Sequence, residues 1–341
     1  MDPLSQGVVG ASFSLLHGRK MPMARIALMG ALGGMAPDLD VLIRSTEDPL
    51  LALQFHRHFT HSLLFIPVGA LLCALALYPL IAKRWRMSFG SIYWPVFLGY
   101  ATHALLDVCT SYGTQIFWPF SQYRASIDIV SVIDPLFTVP ILLMIIVAVI
   151  RSSRLWVYLA IAWGAFYLSV GALQNMRAKS LGWELAKTRG HQPTALDAKP
   201  SFGNILVWKT VYEYQDRFYV DAVKAGFKHK VVWEGDSIAK LDVKRDFPWL
   251  SDQSQQAKDI ERFRWFSEGF VAVYPEGSSQ IADIRYSMLP NQIKPLWAIQ
   301  LNEDAQAHGH VKYRVNREKG RESLPLLWSM ITAKTGTAHE Q

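Results

Sequence analysis

The sequence predicts a mainly α-helical membrane bundle of about five spans, followed by a small soluble α+β domain. Three observations predict it. Half of the 341 residues are hydrophobic and 12 are Trp, so the mean hydropathy is positive. The apolar residues crowd into the chain before about residue 175. There they form runs close to the roughly 20 residues that a spanning helix needs.

The runs are residues 24–43, 62–82, 91–109, 133–150 and 155–173. The second and fifth are the least interrupted, whereas the first carries Asp38, Asp40 and several glycines. Residues 4–16 are apolar but short, which predicts a re-entrant, interfacial or half-span helix. Arg19, Lys20 and Arg25, then Lys83, Arg84 and Arg86, then Arg151 and Arg154 all fall on one side of a five-span arrangement. The positive-inside rule assigns that side to the cytoplasm and the opposite side to the outer face. Arg177, Lys179, Lys187 and Arg189, after the last run, go against the rule. The first residues lack a signal-peptide pattern, so the N-terminus is expected to be retained. The net charge of +7 comes from basic residues flanking apolar runs, which argues for a bilayer and against a nucleic-acid partner. Two cysteines, Cys73 and Cys109, make neither a disulfide framework nor a thiolate metal site.

Three domains follow: residues 1–175 as the transmembrane bundle, 176–200 as a basic helix and linker, and 201–341 as the soluble domain. In the last, residues 205–214 and 217–223 read as a hairpin around Gln215-Asp216. Residues 230–233, 281–288, 296–301 and 310–315 read as further strands, and 257–270 as a helix. No catalytic motif is read there, and His191, His229, His308 and His310 read as surface residues.

The chemistry gathers at the ends of the apolar runs. Asp38 and Asp40 end the first, His56 to His61 lead into the second, His103 and Asp107 end the third, and Asp134 opens the fourth. Threading five spans brings all of them to the outer face. Ionisable side chains cost roughly 2.5–3.5 kcal/mol each near a bilayer centre, so a shared task is the economical explanation. His103 and Asp107, four apart on a helix, project from one face. Mixed imidazole and carboxylate suits a divalent metal, Zn²⁺ or alternatively Mn²⁺ or Fe²⁺. Six candidate ligands, Asp38, Asp40, His56, His61, His103 and Asp107, suit two ions better than one. Such a site acidifies water for attack on an ester or phosphoester. Arg57 and Arg124 read as anion clamps or as arginines at headgroup level. Asp134 reads either as an orienting carboxylate behind a ligand or as an N-cap ahead of Pro135, and the N-cap is slightly favoured. Asp128 is a further orienting candidate. Asp2, Gln6 and His17 are weaker candidates, with His17 placed at the interface. The aromatics of residues 113–120 fit an interfacial belt or the entry for a lipid chain.

The blocks MDPLSQGVVGA, GGMAPDLDVL, HRHFTHSLLF, THALLDVCTSYGTQIFWPFS and IDPLFT resemble, in that order, the membrane-bound metal-dependent hydrolases of the YdjM type. The resemblance covers residues 1 to about 150, and extends loosely to FRWFSEGFVAVY and IADIRYSM. It implies a bacterial inner-membrane hydrolase with metal residues at Asp38, Asp40, His56, His61, His103 and Asp107. Where many members carry Thr-His, this chain has Ser5-Gln6. The expected partners are the bilayer and a lipid or lipid-linked substrate. The rival readings are a metal-ion transporter and a scaffold with a structural metal. A transporter needs charges on a path to both faces. A structural zinc site needs only four ligands.

Overall fold

The computed structural model describes residues 1–17, 21–226, 230–316 and 320–333. Arg19, Lys20 and His229 lie outside the described residues. The chain divides into two compact units. The first holds Met1–Ile43 and Phe55–Ala172, and the second Arg44–Gln54 and Leu173–Gln341.

In the first unit, α1 (Pro3–His17), α2 (Met23–Met35), α4 (Ile66–Leu77), α5 (Phe89–Val108) and α6 (Pro135–Arg151) form the body. The short α3 (Leu51–Phe55), all but its last residue in the second unit, precedes α4 in the chain, and α7 (Arg154–Thr188) follows α6 and belongs to the second unit from Leu173 on. Glycines seat α1, α2 and α5 against one another. A Cβ on Gly99 would lie 2.1 Å from the Gly30 carbonyl oxygen, and one on Gly10 would lie 2.5 Å from the same atom. Small residues at such seams let helix backbones approach closely. Met29, Ile66, Ala70, Ile92, Val96 and Tyr100 form a core between α2, α4 and α5. Asp134 caps α6, accepting from the backbone N–H groups of Leu136 and Phe137, with Pro135 in the first turn. The outer face of α6 carries a stripe of exposed Leu136, Val139, Leu143, Ile146 and Ile150.

The five-span bundle is not what forms. Among the described residues only α7, with 35 residues, is long and apolar enough to cross a membrane. The first run breaks after Met35 into a 3-10 segment, Ala36–Leu42, with Pro37 in its first turn. The second run gives a 12-residue α4 and then a π turn at Tyr78–Ala82. Leu51–His61 and Ile66–Ile81 pass as one span only if two arms bent by 95° are counted together. α6 has 17 residues, and α5 buries Thr102, His103 and Asp107 in the unit's interior. Hydropathy counts composition, whereas these breaks depend on where prolines and packing end each helix. The inside–outside assignment built on five crossings falls with them.

The second unit is α+β, with two antiparallel sheets. The first has β1 (Ala195–Pro200), β2 (Val207–Tyr214), β3 (Arg217–Ala225) and β4 (Lys230–Trp233) in that order, with β5 (Ser237–Ala239) also on β3. The predicted hairpin is β2–β3, and Gln215 and Asp216 both take positive φ, as a tight two-residue turn requires. Residues 195–200, expected in the linker, pair with β2 instead. The second sheet orders β6 (Val271–Val273), β7 (Gln280–Asp283), β8 (Trp297–Gln300) and β9 (Lys312–Val315). Val211, Phe218, Val220, Ile238, Ala272 and Ile284 make the unit's core. Three helices, α8 (Val243–Asp246), α9 (Gln255–Phe266) and α10 (Gly320–Thr332), complete the unit. Arg262 on α9 grips the strap formed by residues 44–54. Its Nη1 and Nη2 donate to the two Asp48 carboxylate oxygens at 3.0 and 2.8 Å, and Nη2 also donates to Gln54 Oε1 at 3.0 Å.

Candidate metal centre

Four side chains from three elements converge inside the first unit. Asp38 comes from the 3-10 segment after α2, His61 from the 3-10 turn Phe59–His61, and His103 and Asp107 from successive turns of α5. His61 and His103 are fully buried, as is Asp107. His61 Nε2 lies 2.9 Å from His103 Nε2, 3.6 Å from Asp38 Oδ1 and 3.4 Å from Asp107 Oδ2. His103 Nε2 lies 3.4 Å from Asp38 Oδ1 and 3.7 Å from Asp107 Oδ2. A tetrahedron with bonds of ~2.0–2.1 Å has edges of roughly 3.3–3.4 Å, so four donors at this spacing match a four-coordinate ion.

The backbone and neighbouring side chains fix which nitrogens face inward. His103 Nδ1 lies 2.5 Å from the Gly34 carbonyl oxygen, which can only accept, so that nitrogen carries the proton. His61 Nδ1 lies 2.9 Å from Thr60 Oγ1 and 3.3 Å from Asp40 Oδ2, while the Thr60 hydroxyl donates to the same Asp40 oxygen. In the neutral imidazoles both Nε2 lone pairs therefore point at each other and at two carboxylates. That arrangement is repulsive unless a proton or a metal ion lies between them, and it has the donor set of a divalent-metal site. The group could hold a metal ion.

Asp107 is held from several directions. Its Oδ1 takes the Met1 α-amino group and the Gln6 amide, the latter at 2.9 Å. Its Oδ2 faces the cluster, with Arg57 Nε at 3.0 Å. Arg57, buried and in the left-handed region at φ 63°, also donates from Nη1 to Thr110 Oγ1 at 2.9 Å and lies over the Tyr112 ring. It is therefore engaged with a candidate ligand and orients it, and does not stand open as the expected anion clamp. Arg124 Nη2 grips the carbonyls of Tyr112 and Gly113 at 2.7 and 3.1 Å, holding the loop after α5.

Of the six predicted ligands, Asp40 and His56 stand apart from the four. With Asp38 they form an adjoining trio that could also hold an ion. Asp40 acts as a hub: its Oδ2 accepts from the Arg57 backbone N–H at 3.0 Å and from Thr60, while its Oδ1 lies 2.8 Å from His56 Nδ1. Burial opposes ionisation of Asp40, but hydrogen bonds from His56 and His61 outweigh it and hold the carboxyl well below the usual carboxylate range. Asp134, read as either an orienting carboxylate or the N-cap ahead of Pro135, takes the favoured N-cap role on α6 and accepts the Tyr167 hydroxyl at 2.9 Å on each oxygen. Its carboxylate is used up there. His17 packs beside Trp94 and Asp2 bonds the first turn of α1, so neither joins the cluster. His310, expected as a plain surface residue, is bonded to the buried Asp259 in the second unit. The contributions of Thr60, the Gly34 carbonyl and Thr110 went unread, because single hydroxyls and backbone oxygens leave no pattern in a sequence.

Among the described residues, a buried His/Asp group that could hold a metal ion accompanies one helix long and apolar enough to cross a bilayer, and the family match places the chain in the class of membrane proteins. The chain belongs to the YdjM inner membrane protein family, which it matches over residues 1–178. It is 33% identical over 125 residues to the Inner membrane protein YbcI of Escherichia coli (strain K12), covering 36% of this chain and 69% of that one. It is 25% identical over 126 residues to the Uncharacterized protein YfhP of Bacillus subtilis (strain 168), covering 37% of each. The chain thus spans little more than a third of the Bacillus relative and about two thirds of the Escherichia relative. No solved structure matches.

Proposed function

We propose that the protein is a metal-dependent hydrolase of an ester or phosphoester bond in a lipid or lipid-linked substrate. The observation that carries this reading is the pair of imidazole Nε2 atoms 2.9 Å apart, flanked by Asp38 and Asp107. Asp38, His61, His103 and Asp107 would hold the ion, Zn²⁺ or alternatively Mn²⁺, and the trio of Asp38, Asp40 and His56 would take a second. A divalent ion there supplies Lewis acidity and water with a pKa lowered towards about 7.

The protein's own part is positioning. The Gly34 carbonyl and the Asp40–Thr60 pair engage both Nδ1 atoms and turn both Nε2 atoms inward, so that the neutral imidazoles would present their Nε2 lone pairs to the ion. Arg57 and Gln6 keep Asp107 turned to the cluster. His56, about a third exposed, gives this side of the site an opening to solvent. Exposed Leu39 and Leu42, on the same 3-10 segment as Asp38, offer apolar surface to acyl chains.

The test is turnover by protein purified in detergent on a panel of phospho- and carboxyl-ester lipids, with metal content measured in the same samples. Hydrolysis that needs metal and disappears in H61A supports the reading. Bound metal with no turnover across the panel, together with metal uptake into vesicles, overturns it.

A further inference from the structure

Among the described residues, the second unit contains a buried amine that makes no ion pair with a carboxylate. Lys209 lies in the middle of β2 and is 4% exposed. Its Nζ contacts two neutral groups: Ser287 Oγ at 2.8 Å and the Gln292 carbonyl oxygen at 2.7 Å. Its cross-strand neighbour on β1, Lys199, is equally buried but has its ion pair, Asp197 at 2.7 Å. The acid closest in influence on Lys209 is Asp283, and that carboxylate is taken by Arg285, with Nε–Oδ1 at 3.0 Å and Nη2–Oδ2 at 2.8 Å. A buried ammonium without a counter-ion is costly, and the cheaper state is the free amine. Burial pushes Lys209 down to about 7. Ser287, half-buried in the segment after β7, turns its hydroxyl to the Leu289 carbonyl at 2.7 Å.

We propose that Lys209 and Ser287 form a base–nucleophile dyad, a second reactive centre directed at the acyl carbonyl of an ester or amide. In the structure Nζ donates to Ser287 Oγ and the Ser287 proton goes to the Leu289 carbonyl. Once the amine is neutral, with an N–H still on the Gln292 carbonyl, rotation of the hydroxyl away from Leu289 brings its proton onto the Nζ lone pair. In the first step the Oγ–carbonyl carbon bond forms and the hydroxyl proton moves to Lys209 Nζ. Collapse breaks the bond to the leaving alcohol or amine, which departs with that proton. In the second step water attacks the acyl-serine, gives a proton to Lys209, and the proton returns to Ser287 Oγ as the acid is released. Nucleophile activation by an adjacent desolvated base is a recognised route to serine reactivity. This centre is independent of the metal cluster and of the function proposed for it.

The test uses the full-length protein in detergent and an alkyl fluorophosphonate, which a base-activated serine attacks with loss of fluoride. The expected result is one phosphonyl adduct on the peptide carrying Ser287. It is absent in S287A, slowed at least about tenfold in K209M, and unchanged in H61A. No adduct on Ser287 in folded protein at saturating probe overturns the proposal, as does undiminished labelling of K209M. If K209M does not fold, S287C reads the same base. Iodoacetamide at pH 7 should then alkylate the thiol of S287C at least about tenfold faster than free cysteine, and an equal rate overturns the dyad.

Discussion

His103 donates its Nδ1 proton to the carbonyl oxygen of Gly34, 2.5 Å away and on a different helix. One backbone acceptor on α2 thereby sets the tautomer of an imidazole on α5. The candidate metal centre depends on how closely those two helices pack.

Gly99→Ala tests that dependence. The new methyl would meet the Gly30 carbonyl oxygen and the Gly34 backbone nitrogen, which cannot retreat without parting α2 from α5. We expect G99A to lose bound metal and to lower the melting temperature, whereas G90A, whose methyl meets nothing within 4 Å, changes neither. Equal metal content in the two variants would remove the link between the seam and the site.

Removing either imidazole should abolish binding at the four-residue cluster. H61A and H103A should each lose an ion that copurifies with the wild type, measured by elemental analysis per mole of protein. H56A should retain it, because His56 belongs to the adjoining trio.

Arg57→Lys keeps the charge and discards the fork that reaches Asp107 and Thr110 together. Loss of a group that orients a metal ligand costs about 10–100-fold in affinity. Competition against a graded chelator series should show a weakening in that range, and unchanged affinity would return Arg57 to the substrate side of the site.

Asp134→Ala should cost about 1–2 kcal/mol through loss of the α6 cap, and more if the Tyr167 hydroxyl is left without its acceptor. Its metal content should equal the wild type's. A melting curve with elemental analysis on the same preparation checks both halves.

Lys209 makes the second unit's stability depend on pH. An ordinary lysine holds its proton to about 10.5, and folded Lys209 releases it near 7. Between those values the unfolded chain binds more protons than the folded one, so stability rises with pH across that window and is flat below it. The urea midpoint of the wild type, measured against K209M at each pH, should climb from pH 7 to pH 10. A constant difference would show that Lys209 stays charged when folded.

Much of the site was legible because its chemistry is dense in sequence. The four-residue spacing of His103 and Asp107 puts both on one face of α5, and the Asp38–Asp40 and His56–His61 groups are each local. What the sequence could not show was which carboxylates turn inward. Asp40, the more buried of the two, faces the Arg57 N–H, Thr60 and His56 where Asp38 faces the two Nε2 atoms, and that follows from a 3-10 segment whose path no periodicity announces. The spans failed for a related reason. Residues 62–82 are one apolar run by composition, yet the helix within them begins at Ile66 and loses its register at Tyr78. In the second unit the hairpin announced itself through Gln215-Asp216, while three-residue strands such as β5 and β6 are too short to carry an alternation.

The strap of residues 44–54 lies inside the stretch that matches the family, but Arg262, which holds it, lies well beyond residue 178. The Escherichia relative is about half as long, since the same 125 residues make up 36% of one chain and 69% of the other. A truncation of the present protein after residue 178 would therefore orphan Asp48 and Gln54 just upstream of His56. Shortening this protein to its family's common portion would be surgery on the approach to the histidine loop, and not the clean removal of an appendage.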